Sequence, residues 1–514
     1  MERQLITGSK VGITIAAMAA ALMAILDISI VNVAISDIRA SFGTPIDQIA
    51  WVSTGYMMAN VVIIPITGWM QRRYGFRRYL TASIFMFIVS SALCGVAWNL
   101  WSLVAFRVLQ GMGGGAIIPT AQSILFARYP REEHGMAGAL FGLGAVTGPL
   151  LGPTLGGYLI EIAGWPWIFL INVPIGFFAM YMAWKHIEEP DFKPNEDPID
   201  KHGFVLLMFG MASLQYLLEE GNRDGWFDSL QIAILACIAA VCLITFVVHE
   251  LECEFPIVDL RIFKDGSYAA ATGINFLLGT ALFSATFLFS LYCGTIMHYT
   301  AFEIGLLFLK GSCIQLVMMP LIGKFSNRID GRFLVGLGIT VATLSLYFNT
   351  RLTDESDFWG LWRPIFIRSC GLGFVFVPLS VLALSNLPPK QRGNGAGLFN
   401  LTRELGGSFG TAWMSSALGR AQVHAYSSMG EHISIYSEAT RARLQAMTAG
   451  IGSRLTYVEP GVLQLLQYRL SMQSLIKGFN HCFWQVTIVF ALSLVLVFRL
   501  AKPGKVQEKI HDAH

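Results

Sequence analysis

The sequence predicts an all-α integral membrane protein with fourteen transmembrane helices. Three observations carry this: depletion of charge, long apolar runs at near-regular intervals, and a one-sided distribution of Lys and Arg between those runs. The chain has 514 residues, 54% of them hydrophobic and only 13% charged, whereas soluble domains run near a quarter charged. So much apolar surface, spread over many runs rather than gathered into one core, points to a bilayer as solvent. The formal net charge of +3 is too small to imply a nucleic-acid partner.

A spanning helix needs about 20 apolar residues. Runs of that kind fall near 11–35, 50–69, 79–98, 102–127, 136–160, 167–186, 203–220, 229–249, 268–295, 304–323, 332–350, 361–384, 394–419 and 481–501, the seventh and twelfth being the weakest. The first follows Arg3 and Lys10 and resembles a signal peptide, but it runs on to Ile35, too long for a cleaved apolar region, and reads as a retained helix. The eight cysteines show no CxxC or metal-ligand spacing and read as small packing residues. No metal or cofactor is expected.

The basic residues test the count. With the N-terminus in the cytoplasm, Arg3, Lys10, Arg72, Arg73, Arg77, Arg78, Arg128, Arg131, Lys185, Lys193, Lys201, Arg261, Lys264, Lys324, Arg328, Arg332, Lys390, Arg392, Arg499, Lys502, Lys505 and Lys509 all fall on the inner side. The short outer loops hold only Arg39, Arg223, Arg351 and Arg363. Missing or inventing one span would destroy this bias downstream. Both termini are therefore expected inside, in a multi-pass protein of the bacterial inner membrane. The long segment 420–480 is expected outside, where long loops escape the charge rule. Its stretch Gly461–Lys477 is amphipathic and predicts a helix.

The chain also repeats itself at offsets near 255–261. Pro130, Gly135, Leu140, Phe141, Gly148 and Gly152 align with Pro388, Gly393, Leu398, Phe399, Gly406 and Gly410. Pro65-x-x-Gly68 recurs as Pro320-x-x-Gly323, and Arg107 with Pro119 recurs as Arg368 with Pro378. Helices 1–6 thus match helices 9–14 in the same orientation, the parallel six-helix plan of the major facilitator superfamily. The expected domains are a first six-helix bundle at 1–186, a linker with inserted helices 7 and 8 at 187–266, and a second bundle at 267–514 that includes the outer loop.

Four motifs sharpen the resemblance. They are Leu26-Asp27-Ile28-Ser29-Ile30-Val31-Asn32-Val33-Ala34 in helix 1, Trp51-Val52-x-x-x-Tyr56 opening helix 2, Arg107-x-x-Gln110-Gly111-x-Gly113 in helix 4, and Gly148-Pro149-x-x-Gly152-Pro153-x-x-Gly156-Gly157 in helix 5. Together they resemble the EmrB-type drug:proton antiporters, the fourteen-helix branch of that superfamily. The resemblance implies export of small amphipathic molecules in exchange for protons. It also implies a periplasmic adaptor and an outer-membrane channel as partners. One departure is clear: after helix 2 the superfamily pattern Gly-x-x-x-Asp-Arg-x-Gly-Arg has Arg72 in place of the Asp, so an Asp-based cytoplasmic latch is not expected here.

Charged groups inside spans are costly, roughly 2.5–3.5 kcal/mol at the helix centre, and usually face the interior. Asp27 reads as a proton or cation site, or as a hydrogen-bonded structural residue. Arg107 keeps its charge and needs partners. It either tunes a proton-carrying carboxylate or ties helices together, with Gln110 one turn away on the same face. Arg403 and Glu404 in helix 13 align with Ala145 and Val146, so the fold does not demand them, and they are candidates for the cavity wall. Arg368 and Lys310 are candidates for substrate selectivity. Lys310 either snorkels outward or faces the cavity with Gln315, where it would favour carboxylate or catecholate substrates. Glu219 and Glu220, at the outer end of helix 7, read as solvated. The recurrence of Gly144, Gly148, Gly152 and Gly156, with Pro149 and Pro153 interrupting the backbone bonding and Gly157 beside them, makes a small-residue ridge for close helix approach. Its role is either to set how the two bundles meet or plain packing.

No GxxxxGK[ST], HExxH, GxSxG or kinase set occurs, so neither enzymatic activity nor ATP as energy source is expected. An ion gradient supplies about 2.3 kcal/mol per charge per 100 mV. The alternative within the same class is a dedicated exporter of an acidic metabolite such as a siderophore. A non-transporting scaffold gives no reason for Asp27, Arg107 and Arg403 to lie in the membrane.

Overall fold

The computed structural model describes residues 6, 8–190, 192–194, 198–326, 329–385, 387–388, 391–431, 438, 441–442, 445 and 458–501. Arg3, Arg328, Lys390, Lys502, Lys505 and Lys509 of the basic set lie outside them, as does most of 432–457. Among the described residues fourteen long helices form in order: α1 (Lys10–Phe42), α2 (Trp51–Tyr74), α3 (Phe76–Gly95), α4 (Leu100–Arg128), α5 (His134–Ala163), α6 (Trp167–His186), α7 (Lys201–Glu220), α8 (Leu230–Glu252), α9 (Gly266–Thr295), α10 (Ala301–Phe325), α11 (Gly331–Asn349), α12 (Phe358–Leu384), α13 (Arg392–Glu431) and α14 (Val458–Val497). Each overlaps one expected span. Among the described residues ten are long and apolar enough to cross a membrane; α2, α5, α7 and α13 are not in that set. The weak seventh span fails the criterion, while the twelfth passes with a mean hydropathy of 2.0.

Local chemistry fixes the helix ends. Asn99 and Ser102 form a reciprocal capping box on α4, and Thr300 and Glu303 form one on α10. Asp200, Asp265, Asp330 and Asp357 cap α7, α9, α11 and α12 through their side-chain oxygens, each satisfying N–H groups that the first turn leaves open. Helix α3 is capped from a distance. Its leading residue, Gly75 at φ 82, has no side chain to offer. Glu189, beyond the end of α6, instead accepts the Phe76 N–H at 3.0 Å and the Arg77 N–H at 2.9 Å.

Burial pushes the Glu189 carboxyl above the ordinary carboxylate range, against the opposing pull of those two N–H groups and of Arg77 and Arg78. A folded-state pKa above the unfolded one means the folded state holds its proton more tightly. That contribution to stability is complete below the ordinary glutamate value of about 4.3 and is lost as pH rises through the raised value. In thermal unfolding of the detergent-solubilised protein, Glu189→Gln should therefore flatten the fall in Tm on the alkaline side of pH 4. An unchanged slope would show that the carboxyl does not titrate there.

Helices α1–α6 pack on one another around apolar clusters that include Ala20, Ile84, Phe87 and Ile124, and Ile30, Leu103 and Phe169. Helices α9–α14 pack around a larger cluster that also takes in Leu207 and Met211 of α7 and Phe246 of α8. The inserted pair packs on itself and lies along the seam of α2 and α13. It touches both bundles: Thr54 of α2 donates to Glu220 at 2.9 Å, and Gln215 donates to Ser408 of α13 at 2.8 Å. Glu220 is thus buried by its contacts with Thr54 and Arg223 rather than solvated, whereas the adjacent Glu219 is exposed. About 100° of helical turn separates neighbouring residues, enough to send them to different environments.

The described residues of the expected outer loop are helical. Helix α13 runs on to Glu431 and α14 begins at Val458, so Gly461–Lys477 lies within a helix as its amphipathic pattern predicts. Arg441 is among the described residues; Arg443 and Arg454 are not.

Candidate functional site: a buried carboxylate–guanidinium network

Asp27 sits near the middle of α1, about 25 Å along the helix from Lys10 at 1.5 Å per residue, and is fully buried. Three N–H donors converge on it. Arg107 Nη1 of α4 reaches Oδ2 at 2.6 Å, while Gln110 Nε2 and Asn172 Nδ2 of α6 reach Oδ1 at 2.8 and 2.7 Å. The same two amides donate to Ser91 Oγ of α3 at 3.1 Å each, and Ser91 donates to the Phe169 carbonyl at 2.8 Å. Three helices of the first bundle thereby meet on one carboxylate, and α3 joins them through Ser91.

The guanidinium is equally engaged. Besides Asp27, Nη1 donates to Gln110 Oε1 at 2.7 Å, and Nε donates to the Val52 carbonyl at 3.1 Å. Its carbon stands 4.1 Å from the centroid of the buried Tyr56 ring and 5.8 Å from that of Phe169, in cation–π range. Only Gly fits at 111, where a Cβ would strike the Tyr56 carbonyl, and at 114, where it would strike the Tyr56 hydroxyl. Gly111 of the helix 4 motif and Gly114 beyond it thus let α2 close on α4 and press the aromatic ring onto the cation.

The structure brings the expected Asp27, Arg107 and Gln110 together. Ser91, Asn172 and the Val52 carbonyl complete the network without having been singled out in the sequence. A polar residue within an otherwise apolar run, as Asn172 is, was the available signal.

The glycine ridge of α5 lies against α1. A Cβ on Gly148 would meet Ile25 Cγ2 at 2.5 Å, one on Gly152 would strike Ser29, and one on Gly156 would meet Ile30 Cγ1 at 2.7 Å, while Gly157 faces open space. The ridge therefore seats the two turns of α1 that bracket Asp27. The side chains of Pro149 and Pro153 lie outside the described residues. A different face of α5 meets the second bundle: Gly138 approaches Ser380, Gly142 approaches Met319, and a Cβ on Gly323 would meet the Gly135 carbonyl at 2.8 Å.

The named contacts between the bundles lie in the half nearest the basic loops. Gly68 of α2 abuts the backbone of α13, where its Cβ would fall 2.5 Å from the Asn394 nitrogen, and Gly397 approaches the Ile64 carbonyl. His134 of α5 bonds Ser385 at the end of α12 at 2.8 Å, while Gln71 donates to Thr120 within the first bundle at 3.1 Å and Asn394 donates to the Asp259 carbonyl of the linker at 2.8 Å. Glycine-to-backbone packing and the His134–Ser385 bond thus join the bundles at the end where the sequence carries no latch Asp. Deeper along the seam, Asn400 of α13 donates to Gln122 of α4 at 2.5 Å and accepts from Arg403 at 3.1 Å. Arg403 and Glu404 stand 4.0 Å apart, linked to the contact between bundles rather than to Asp27.

Lys310 is exposed on α10, with its ammonium 5.4 Å from the Phe358 ring centroid at the start of α12. Arg368 is buried in the second bundle, 5.9 Å from the Phe308 ring centroid.

Comparisons with known proteins agree with this architecture. The family model described as Major Facilitator Superfamily matches residues 17–411. The chain is 35% identical to the multidrug export protein EmrB of Haemophilus influenzae, over 96% of each chain. It is 34% identical to the fatty acid resistance protein FarB of Neisseria gonorrhoeae, over 94% of each, and 32% identical to EmrB of Escherichia coli K12, over 95% of each. The human organic anion transporter MFSD10 shares the fold at a TM-score of 0.62 and 13% identity, with 95% of this chain and 99% of that one covered.

Proposed function

We propose, because the chain belongs to the major facilitator superfamily, that it exports small amphipathic molecules across the bacterial inner membrane in exchange for protons. Its near-full-length relatives include multidrug export proteins, and the chain is a multi-pass membrane protein. The observation that carries the proton step is the Asp27 network: a titratable carboxylate, shut away from water, with an obligate cation as partner. Protonating Asp27 removes the charge that holds Arg107 and frees the guanidinium to turn to Gln110, Val52 and Tyr56 alone. Because α5 grips α1 on both sides of Asp27, this local change is passed to the helix that also contacts α10 and α12. Arg403 and Glu404 sit where α13 meets α4 through Asn400, a position suited to sensing the same movement.

In this reading the basic end is cytoplasmic and closed, and the far end faces the periplasm. The projecting ends of α13 and α14 form the surface for a periplasmic adaptor leading to an outer-membrane channel. Coupling is tested in everted vesicles carrying a preset acid-inside gradient. Adding an exported compound should release protons in a saturable way, and substrate transport that proceeds with no proton flux would remove the antiport reading.

A further inference from the structure

We infer that the second bundle holds a carboxylate carried by the substrate, bound by the Arg368 guanidinium and the Gln315 amide between α10 and α12. The inference rests on the export reading, since it names the chemical class of what is exported. It begins from the internal repeat, in which Arg368 stands where Arg107 stands in the first bundle. Both guanidinium groups lie against an aromatic ring of the second helix of their own bundle, Tyr56 for Arg107 and Phe308 for Arg368.

The likeness ends at their partners. Arg107 is matched by Asp27, Gln110 and the Val52 carbonyl. Arg368 is 7% exposed and makes no hydrogen bond or ion pair among the described residues. The sequence explains why. Helix α9, the counterpart of α1, has no Asp or Glu anywhere in Gly266–Thr295, and α11 and α12 have none either. On α10 the sole acid is Glu303, tied to Thr300 at the helix start. Glu404 on α13 stands beside Arg403.

A second group points the same way. Gln315 is 3% exposed and its Nε2 has no partner. It lies seven residues from Phe308 on α10, hence on the same face, and between them Ser369 donates to Ser312 at 3.3 Å. The α10–α12 contact thus offers the five N–H donors of a guanidinium and the two of an amide, which make no hydrogen bond to an acceptor among the described residues. A buried, unpaired cation is unfavourable, and a planar carboxylate is the group that a guanidinium fork fits. Arg368 lies about 15 Å along α12 from its start at Phe358, with the Phe308 ring of α10 beside it. Lys310, exposed at the rim, is outside it.

The test is equilibrium binding to the purified full chain in lipid nanodiscs, with no proton gradient, read by quenching of tryptophan fluorescence. The probes are three ligands on one ring: 1-naphthoate, 1-naphthylmethanol and 1-naphthylmethylammonium. Wild type should bind the carboxylate most tightly. Arg368→Gln should weaken naphthoate about tenfold or more, the scale of one charge-assisted hydrogen bond, while leaving the neutral and cationic probes nearly unchanged. Gln315→Leu should weaken naphthoate less, Arg368→Lys should restore part of the loss, and Lys310→Gln should leave it unaltered. Equal binding of the three probes by wild type, absence of naphthoate binding, or equal weakening of all three by Arg368→Gln would overturn the proposal. Displacement of naphthoate by physiological chloride would assign the site to an inorganic anion and overturn it too. Because no gradient is used, failure here leaves proton coupling through Asp27 untouched, and failure of coupling leaves this binding result standing.

Discussion

Arg107→Leu is expected to destabilise the protein by about 3–5 kcal/mol, the cost of leaving a buried charge without its partner. Asp27 would keep its bonds from Gln110 and Asn172 but lose the Arg107 cation at a position where the carboxylate is fully buried. The double variant Asp27→Asn with Arg107→Leu should regain most of that loss, because a neutral amide takes the carboxylate's place and can still accept from Gln110 and Asn172. Thermal unfolding in detergent reads both effects. The double variant should fold and yet fail to couple transport to protons. If the single and double variants are equally unstable, the pair does not act as a unit and the ion pair is incidental to the fold.

Gly68→Val should open the closed end of the molecule. The added Cβ would lie 2.5 Å from the Asn394 nitrogen and 2.6 Å from its Cα, and backbone atoms cannot rotate aside as a side-chain tip can. Helix α13 must move away from α2, at an overpacking cost of roughly 1–3 kcal/mol borne by the closed state alone. A cost of that size shifts the balance of closed and open states by about tenfold or more. Asn400→Cys, in a cysteine-free background, sits behind this contact and is buried. With Gly68→Val present, its labelling by a charged thiol reagent from the cytoplasmic side should rise about as much, with loss of transport. Unchanged labelling would place the seal elsewhere.

How much of this was legible in the sequence depends on the range of the interaction. The helices were, because apolar length is local: each long helix overlaps a span read from its apolar run, while the caps Asp265 and Asp357 that start α9 and α12 came from the structure. The repeat was, because it aligns without reference to space. Asp27 and Arg107 stood out because charge in a span is rare, and Gln110 because it lies one turn from Arg107 on the same face. Asn172 and Ser91 did not, since each reaches the carboxylate or its amides across the bundle and neither carries a cost that marks it. The α5 glycines were legible as a ridge but not their partner, because spacing gives the face of a helix and not which neighbour fills it. Neither does spacing foretell that Arg368 goes without a carboxylate; that needs the packing of α9, α10 and α12 together.

The central claim is that protons are carried by Asp27, and one measurement addresses it most directly. Asp27→Asn and wild type are compared in everted vesicles with a preset acid-inside gradient, with surface expression and thermal unfolding matched between them. The variant is expected to retain substrate binding and the folded state, because an amide oxygen can still accept from Gln110 and Asn172, and to release no protons when substrate is added. Proton release at the wild-type rate by folded Asp27→Asn would contradict the account and place the proton site at another residue.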